Sequence, residues 1–266
     1  MMKRFMSWPV NCFGYRDESN MDALTAAAAS GIRARMQSLD IMANNLANAS
    51  AAGFKSDREC YALYISPEAA DSPEGTNPAI LPVVQSRWTD FSQGALLPTN
   101  NSTDLALNGK GFFVASTPSG PLYTRGGRFQ MSRTGQLQTQ EGYAVQGSDT
   151  KPILLDTAKS FQVTPDGRVL QDGQEVSRIA VVDFDDPTVL GKHGGNYFQS
   201  NSSSVTPTPA AAEVQQGKLE GGNAETAHSA AGLVSIMRQF EALQKAMTIG
   251  ADMNRRAVED VAKVSS

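Results

Sequence analysis

The chain has 266 residues, with 23 lysines and arginines against 27 aspartates and glutamates, which gives a formal net charge of −4. A surface that binds nucleic acid needs an excess of basic residues, so this balance argues against a nucleic-acid partner. The sequence has no apolar run of the roughly 18 residues that a membrane-spanning helix needs. Two cysteines, Cys12 and Cys60, are too few for a disulfide scaffold, and we interpret Cys60 as an incidental thiol.

The first stretch, residues 1–20, is interpreted as a disordered leader or as a mis-assigned start. Lys3 and Arg4 are present, but the apolar stretch of a secretory signal does not follow them. Organised sequence begins at Met21, which we expect to be the true start.

The stretch from Leu39 to Lys55 reads LDIMANNLANASAAGFK and belongs to the first predicted helix. Apolar and small residues recur there at alternating steps of three and four, which predicts a helix with a heptad seam. Gly53 is predicted to close this helix in the left-handed conformation, with Phe54 folding back on it. The predicted seam consists of Thr25, Ala29, Ile32, Met36, Leu39, Ala43 and Leu46.

The remaining faces of this helix carry Asn44, Asn45 and Asn48 and have no charge between Asp40 and Lys55. An asparagine amide both donates and accepts hydrogen bonds, so its burial against another chain costs less than that of a charge. The asparagines belong either to a solvated surface or to a subunit interface. We expect the asparagine face to meet neighbouring subunits and the apolar seam to meet the C-terminal helix of the same chain.

The middle of the sequence is dense in turn signals such as Asn108-Gly109 and Pro165-Asp166-Gly167. Short strands with frequent turns are typical of an antiparallel sandwich or barrel, and helical crossovers long enough for a parallel sheet are missing from the pattern. The predicted strands are Phe112–Ala115, Leu122–Arg125, Gln136–Thr139, Tyr143–Gln146, Ile153–Leu155, Gln162–Thr164, Arg168–Gln171 and Ile179–Phe184.

A second helix is predicted near the C-terminus, capped at Asn223 after two glycines. Its seam again follows steps of three and four, at Leu233, Ile236, Phe240, Leu243 and Met247. The expected fold class is α+β: the N- and C-terminal helices pair as a coiled coil beside a central antiparallel β-rich domain. The expected division is 1–20 leader, 21–65 N-terminal helix and extension, 66–84 connector, 85–200 β-rich domain, 201–216 linker and 217–266 C-terminal helix.

The sequence predicts no enzyme, no metal site and no cofactor. His193 and His228 lack partners at metal-ligand spacing. The turn Gly109–Gly111 lacks the rest of a phosphate loop, and the aspartates of 183–186 precede a proline as in a solvated loop. A small-molecule substrate is therefore not expected.

Four stretches of the sequence, in order, resemble the blocks of the flagellar rod and hook protein family. They are Ala43–Lys55 (ANNLANASAAGFK), Gln93–Val114, which leads into GFFV, Tyr123–Gly147, which begins YTRGGRF, and Gly217–Met247, which begins GKLEGGN. The short chain and its RQFEALQKAM ending resemble the proximal-rod members most, with the distal-rod members as the alternative. Hook proteins are typically longer in the middle.

The resemblance implies a mechanical role. Members of the family assemble helically into the axial structure, with an inner coiled-coil tube of terminal helices and the β domain outside. They transmit torque and enclose the export channel. The implied partners are copies of the chain, other rod proteins and the flagellar export apparatus. The implied location is the basal-body rod across the periplasm, reached by type III export without a cleaved signal peptide.

We expect the assembly interface to lie on the two helices and on the turn after the first one. Its predicted residues are Ile32, Met36, Leu39, Ala43, Asn44, Asn45, Leu46, Asn48, Gly53, Phe54, Leu233, Ile236, Phe240, Leu243 and Met247. The alternative from a different class is a secreted β domain that binds a surface ligand and is oligomerised by coiled-coil ends. That alternative predicts a closed oligomer rather than an open helical one.

Overall fold

The computed structural model describes residues 23–65, 80–201 and 205–264. The predicted leader and most of the predicted connector lie outside these residues. Helix α1 spans Ala23–Asn48 and helix α2 spans Thr226–Val264. Between the helices the chain forms short strands and one 3-10 turn at Pro187–Val189, so the expected α+β class with a central antiparallel β-rich domain is confirmed.

The strands alternate with tight turns along the chain. In order they are β1 Asp57–Ile65, β2 Ile80–Thr89, β3 Leu96–Pro98, β4 Leu105–Asn108, β5 Phe112–Thr117, β6 Gly120–Thr124, β7 Phe129–Met131, β8 Leu137–Thr139, β9 Ala144–Val145, β10 Phe161–Val163, β11 Arg168–Gln171, β12 Gln174–Arg178, β13 Val181–Asp183, β14 Leu190–Gly194, β15 Tyr197–Ser200, β16 Thr208–Pro209, β17 Glu213–Gln216 and β18 Lys218–Glu220.

The largest sheet has the strand order β14-β15-β6-β5-β9-β8-β7, and β13 joins its β5 to β16. A second sheet has the order β10-β11-β12, and β1 pairs with β2 as a long hairpin. The pairs are antiparallel, as expected from the turn signals. One predicted strand is wrong: Ile153–Leu155 does not form a strand and instead crosses the sheet edge through isolated bridges.

Three apolar clusters lie in the described part of the β domain, and the smallest contains Ala115, Leu122 and Tyr197. The largest surrounds Phe113, Leu137 and Val169, each fully buried. The third is rich in aromatic rings, with Phe112 and Phe198 packed edge to face at a centroid distance of 5.8 Å. Such pairs add roughly 0.5–1.5 kcal/mol beyond area burial. The domain therefore has its own core and does not depend on the helices for it.

The segment predicted as a linker, 201–216, contributes strands β16 and β17 in its described part, residues 205–216. Strand β17 pairs with β4, and β18 pairs with β3, so the chain returns to the start of the β domain before α2 begins. Val214, on β17, is 2% exposed and belongs to the largest cluster. The predicted boundary is wrong because a low-complexity stretch with one buried valine is enough to complete a sheet whose partner strand lies far away in sequence.

The helices α1 and α2 run side by side in opposite directions. A methyl group placed on Gly31 of α1 would lie 3.6 Å from a Leu243 methyl of α2. Near the other end, a methyl group on Gly232 would lie 3.4 Å from Cε of Met42. Both distances are ordinary van der Waals contacts, so they show that the surfaces of the two helices touch at both ends of the pair. Whether the pair has true coiled-coil geometry stays a prediction.

Candidate assembly interface and the charge cluster at the helix bases

The side of α1 that faces its own chain carries mostly small residues. Ala34, Ser38, Ile41 and Asn45 are buried at steps of three and four, and Ala49 continues this line just past the helix. The hydroxyl of Ser38 is satisfied within the helix, where it donates to the carbonyl of Ala34 at 3.0 Å. We call this the inward face of α1. Its small side chains explain how α1 fits closely between α2 and the β1-β2 hairpin.

The predicted seam of α1 lies on the other side of the helix. Met36 is 54% exposed, Ala43 is exposed, and Ile32, Leu39 and Leu46 are half-buried. At about 100° per residue, this row is roughly half a turn away from the inward face. We call it the outward stripe of α1. The seam expected to meet the C-terminal helix of the same chain is therefore only partly covered, and its role toward α2 stays a prediction.

The three asparagines of α1 separate in the structure. Asn45 is 5% exposed, donates from Nδ2 to the Asp57 carbonyl at 2.8 Å and accepts from the Asp57 N–H at 2.9 Å. It fastens the chain that follows α1 back onto the helix. Asn45 is therefore not on a free face, which corrects its predicted role toward neighbouring subunits. Asn44 is exposed, and Asn48 donates to the Asn44 carbonyl at 2.9 Å.

The seam predicted for α2 is the least exposed row of that helix. Ile236 is 7% exposed, and Leu233, Phe240, Leu243 and Met247 are half-buried. Outside this row, α2 also carries large apolar side chains, each about half exposed or more. These are Val234, Met237, Ile249 and Met253, which we call the outward residues of α2.

Gly53 and Phe54 lie beyond the end of α1, so Gly53 does not close the helix as predicted. Gly53 is in the left-handed region with φ 70°, and its N–H donates to the Glu220 carbonyl at 2.8 Å. A Cβ there would overlap the backbone between Arg125 and Gly126. Phe54 is 3% exposed. The glycine is required because the chain after α1 passes directly over the β-domain backbone.

Gly53→Ala tests this close approach, with Gly142→Ala as the matched control. Both glycines have positive φ, 70° and 89°, but a Cβ on Gly142 would meet nothing within 4 Å. The control variant should lose only the left-handed strain, about 1 kcal/mol. Gly53→Ala should lose roughly 2–3 kcal/mol more in the free energy of urea unfolding, because backbone must move. Equal losses in the two variants would contradict the close approach.

Three buried charges meet where the stretch after α1 and the stretch before α2, which we call the helix bases, join the β domain. Lys55 Nζ lies 2.6 Å from Oε1 of Glu220, and both side chains are fully buried. Arg125 pairs with the other carboxylate oxygen: its Nη1 lies 3.1 Å from Oε2 of Glu220. Backbone carbonyls complete the site: Lys55 donates to Ser92 and Arg125 donates to Gly109, each at 2.6 Å. We call this set the charge cluster.

The electrostatics of the charge cluster depend on Glu220. Burial lowers the pKa of Lys55, and the nearby Glu220 carboxylate opposes that shift by favouring the charged amine. Burial likewise lowers the pKa of Arg125, again opposed by Glu220. The N–H of Gly94 adds a third donor to Glu220 at 3.0 Å. One carboxylate therefore compensates two buried cations.

Asn223 was predicted to cap α2, but its side chain instead bonds to the backbone of two other segments. Its Oδ1 accepts from the Ser56 N–H at 2.7 Å, and its Nδ2 donates to the Asp90 carbonyl at 2.6 Å. Its own N–H donates to the Phe54 carbonyl at 3.2 Å. Asn223 thus joins the stretch after α1, the stretch after β2 and the stretch before α2. It is not a helix cap because α2 starts later, at Thr226.

Each of the four sequence blocks named above contributes to this place. Lys55 comes from the first, Gly94 and Gly109 from the second, Arg125 from the third and Glu220 from the fourth. Sequence reasoning did not single out the three charged residues. One signal was available: Lys55 is the lone charge after a long uncharged stretch.

The cluster is structural in its chemistry. Its charged groups pair with one another, although Nε of Arg125 is buried without a hydrogen-bond partner among the described residues. The described part of the chain holds no group of three histidine, cysteine, aspartate or glutamate side chains that could bind a metal. In the same part of the chain, no helix is both long and apolar enough to cross a membrane. A β domain that fixes the bases of two long, partly uncovered helices is the arrangement of a structural subunit.

Comparison with known proteins identifies the family. A family model described as the flagellar hook protein FlgE/F/G D1 domain matches residues 106–171, from β4 to β11. The flagellar basal-body rod protein FlgF of Caulobacter vibrioides is 34% identical over 85% of this chain and 93% of its own length. The rod protein FlgG of Bacillus subtilis is 28% identical over 86% of this chain and 95% of its own length. The chain belongs to the flagellar basal-body rod protein family, whose members are structural proteins and not enzymes.

Proposed function

We propose that this chain is a subunit of the proximal rod that assembles through the uncovered sides of its two helices. Family membership makes it a structural subunit of the flagellar basal-body rod, serving motility. The likeness to FlgF of Caulobacter vibrioides supports the proximal position. FlgG relatives, matched at 28–30% identity, support a distal position as the second candidate.

One observation carries the assembly proposal: each helix leaves large apolar side chains uncovered by its own chain. Met36 of the outward stripe of α1 is 54% exposed, whereas Ile41 of the inward face is 6% exposed. On α2, Met253 lies outside the seam and is 66% exposed. Rows of exposed apolar residues along a helix are typical of a surface that a partner covers. The partner we assign to both is a second copy of this chain or another rod protein.

Contacts between two different faces of identical subunits produce an open helical assembly when the rotation between neighbours does not close into a ring, and this open form is the one we propose. In this proposal α1 and α2 form the inner coiled-coil layer around the export channel, and the β domain lies outside. The subunit reaches this place through the flagellar export apparatus without cleavage of a signal peptide. Family membership does not favour the alternative of a secreted β domain that binds a surface ligand.

A deletion strain complemented with a tagged chain tests the proposal. We expect the deletion to abolish swimming and the tagged chain to restore it. The tagged chain should be found in purified basal bodies with an uncleaved N-terminus by mass spectrometry. Normal swimming of the deletion strain, or absence of the tagged chain from basal bodies that do form, would overturn the proposal.

A further inference from the structure

The charge cluster joins three parts of the chain that are distant in sequence. Lys55 follows α1, Arg125 follows β6 of the β domain, and Glu220 ends β18 shortly before α2. We infer that the cluster makes the docking of the two helix bases onto the β domain mutually dependent. Neither base stays docked when the other leaves. This coupling is a property of the free chain, and only its use in assembly rests on the proposed function.

The first support is the charge balance. If the stretch that carries Glu220 undocks, Lys55 and Arg125 remain buried beside each other as two cations. Proximity of Arg125 already lowers the pKa of Lys55 even with the carboxylate present. Of the two hydrogen bonds that the Lys55 amine donates to Glu220 and Ser92, the one to the Ser92 carbonyl would remain. An uncompensated buried charge is strongly destabilising, so the stretch after α1 is expected to leave as well.

Backbone hydrogen bonds give the second support, because they connect the two terminal stretches directly. The Gly53 N–H donates to the Glu220 carbonyl at 2.8 Å, and the Asn223 N–H donates to the Phe54 carbonyl at 3.2 Å. If either stretch undocks, hydrogen-bond donors and acceptors of the other stretch are therefore left without partners.

Close backbone approach gives the third support. A Cβ on Gly222 would overlap the carbonyl of Ala49, and a Cβ on Gly94 would overlap the carbonyl of Gly221. The stretch before α2 thus lies between the end of α1 and the β domain with no spare room. Packing this tight transmits a displacement from one side to the other.

If neither base stays docked alone, the two sides undock in one shared step. A change on the α1 side that favours undocking then raises opening at the β18 side by the same factor, and such coupling acts in both directions. In the rod, a subunit with one helix base docked would be rare, and both helices would become ordered in one step. The charge cluster would then restrict incorporation into the rod to subunits in which both helix bases are docked on the β domain.

Hydrogen exchange on the full-length free chain tests the coupling. Asn45→Ala removes the side-chain bonds to Asp57, which lies on the α1 side. The reporter on the α1 side is the Asp90 N–H, which donates to the Ser56 carbonyl at 2.8 Å, because the Asp57 N–H loses its own acceptor in this variant. We expect about tenfold faster exchange at Asp90, the usual effect of losing buried hydrogen bonds. The remote reporter is the Gly221 N–H, which donates to the Ala95 carbonyl at 2.8 Å. It should accelerate by the same factor.

A second background and a control amide complete the design. In the Glu220→Gln background, Asn45→Ala should still accelerate the Asp90 N–H, but it should accelerate Gly221 by a smaller factor, because only the backbone bonds and close packing then couple the two sides. Equal acceleration of both amides in this background would show that the charges do not contribute to the coupling. The Leu137 N–H, which donates to the Ile153 carbonyl in the β core, should be unaffected throughout. An unchanged Gly221 N–H in the single variant would overturn the coupling. So would a lack of protection at the Asp90 N–H of the unaltered chain, because the α1 side would then not be docked.

Discussion

Replacing Glu220 with alanine will destabilise the folded chain by about 3–5 kcal/mol, the usual consequence of removing one partner from a buried ion pair. The expected loss is at the upper end because this carboxylate compensates two cations, Lys55 and Arg125. Glu220→Gln should lose less, since its amide oxygen still accepts from the Gly94 N–H. The measurement is the free energy of urea unfolding for the full-length variants.

Glu213→Ala is the matched control for this prediction. Glu213 lies on the neighbouring strand β17, is exposed, and contacts Asn108 through one 3.3 Å hydrogen bond. Its loss should change the free energy of unfolding by no more than about 0.5 kcal/mol. If Glu220→Ala lost as little as the control, the charges of the cluster would have to be solvated in the folded chain, and its structural role would be wrong.

Much of the β domain could be predicted because its strands are local hairpins. Phe112 and Arg168 begin strands that the turn signals located to the residue. The pairs β17-β4 and β18-β3 could not be predicted in this way, since each joins segments that are about a hundred residues apart in sequence. A short strand of this kind carries too few residues for its own periodicity to be recognised.

The helices show a different limit of sequence reasoning. Periodicity located the outward stripe correctly as one face of α1, but it could not tell which partner that face meets. Residue size distinguishes the two faces of α1. The buried face carries mostly glycine, alanine and serine, whereas the larger Met36 is on the exposed face. On α2 the row with Ile236 and Phe240 is the less exposed one, so there the large apolar side chains do face inward.

The charge cluster was beyond the reach of sequence patterns for a physical reason. A lysine at the end of a helix normally predicts a solvated charge, since buried lysine is rare unless it is paired. Its partner Glu220 lies 165 residues away and is itself unremarkable in sequence. Only the fold brings the two together. The resemblance of the surrounding blocks identified where such contacts would be, but not which residues make them.

Met36→Asp will abolish rod assembly and swimming while leaving the folded chain almost as stable as before. The side chain is 54% exposed in the free chain, so the charge remains solvated there. The lower helix propensity of aspartate costs about 0.5 kcal/mol. In the proposed assembly the same charge would be buried against a neighbouring helix without a partner, at a cost of several kcal/mol per contact. Soft-agar swimming and electron microscopy of basal bodies measure the loss, and urea unfolding measures the stability.

Asn44→Asp separates the two possible interfaces of α1. It places the same charge on an exposed position of the same helix, away from the outward stripe. Asparagine and aspartate are similar in size and in helix propensity, so stability should not change measurably. If the outward stripe meets the neighbouring subunit, Asn44→Asp swims and Met36→Asp does not. The opposite result would assign the interface to the asparagine face, because only a face covered in the assembly is sensitive to a single added charge.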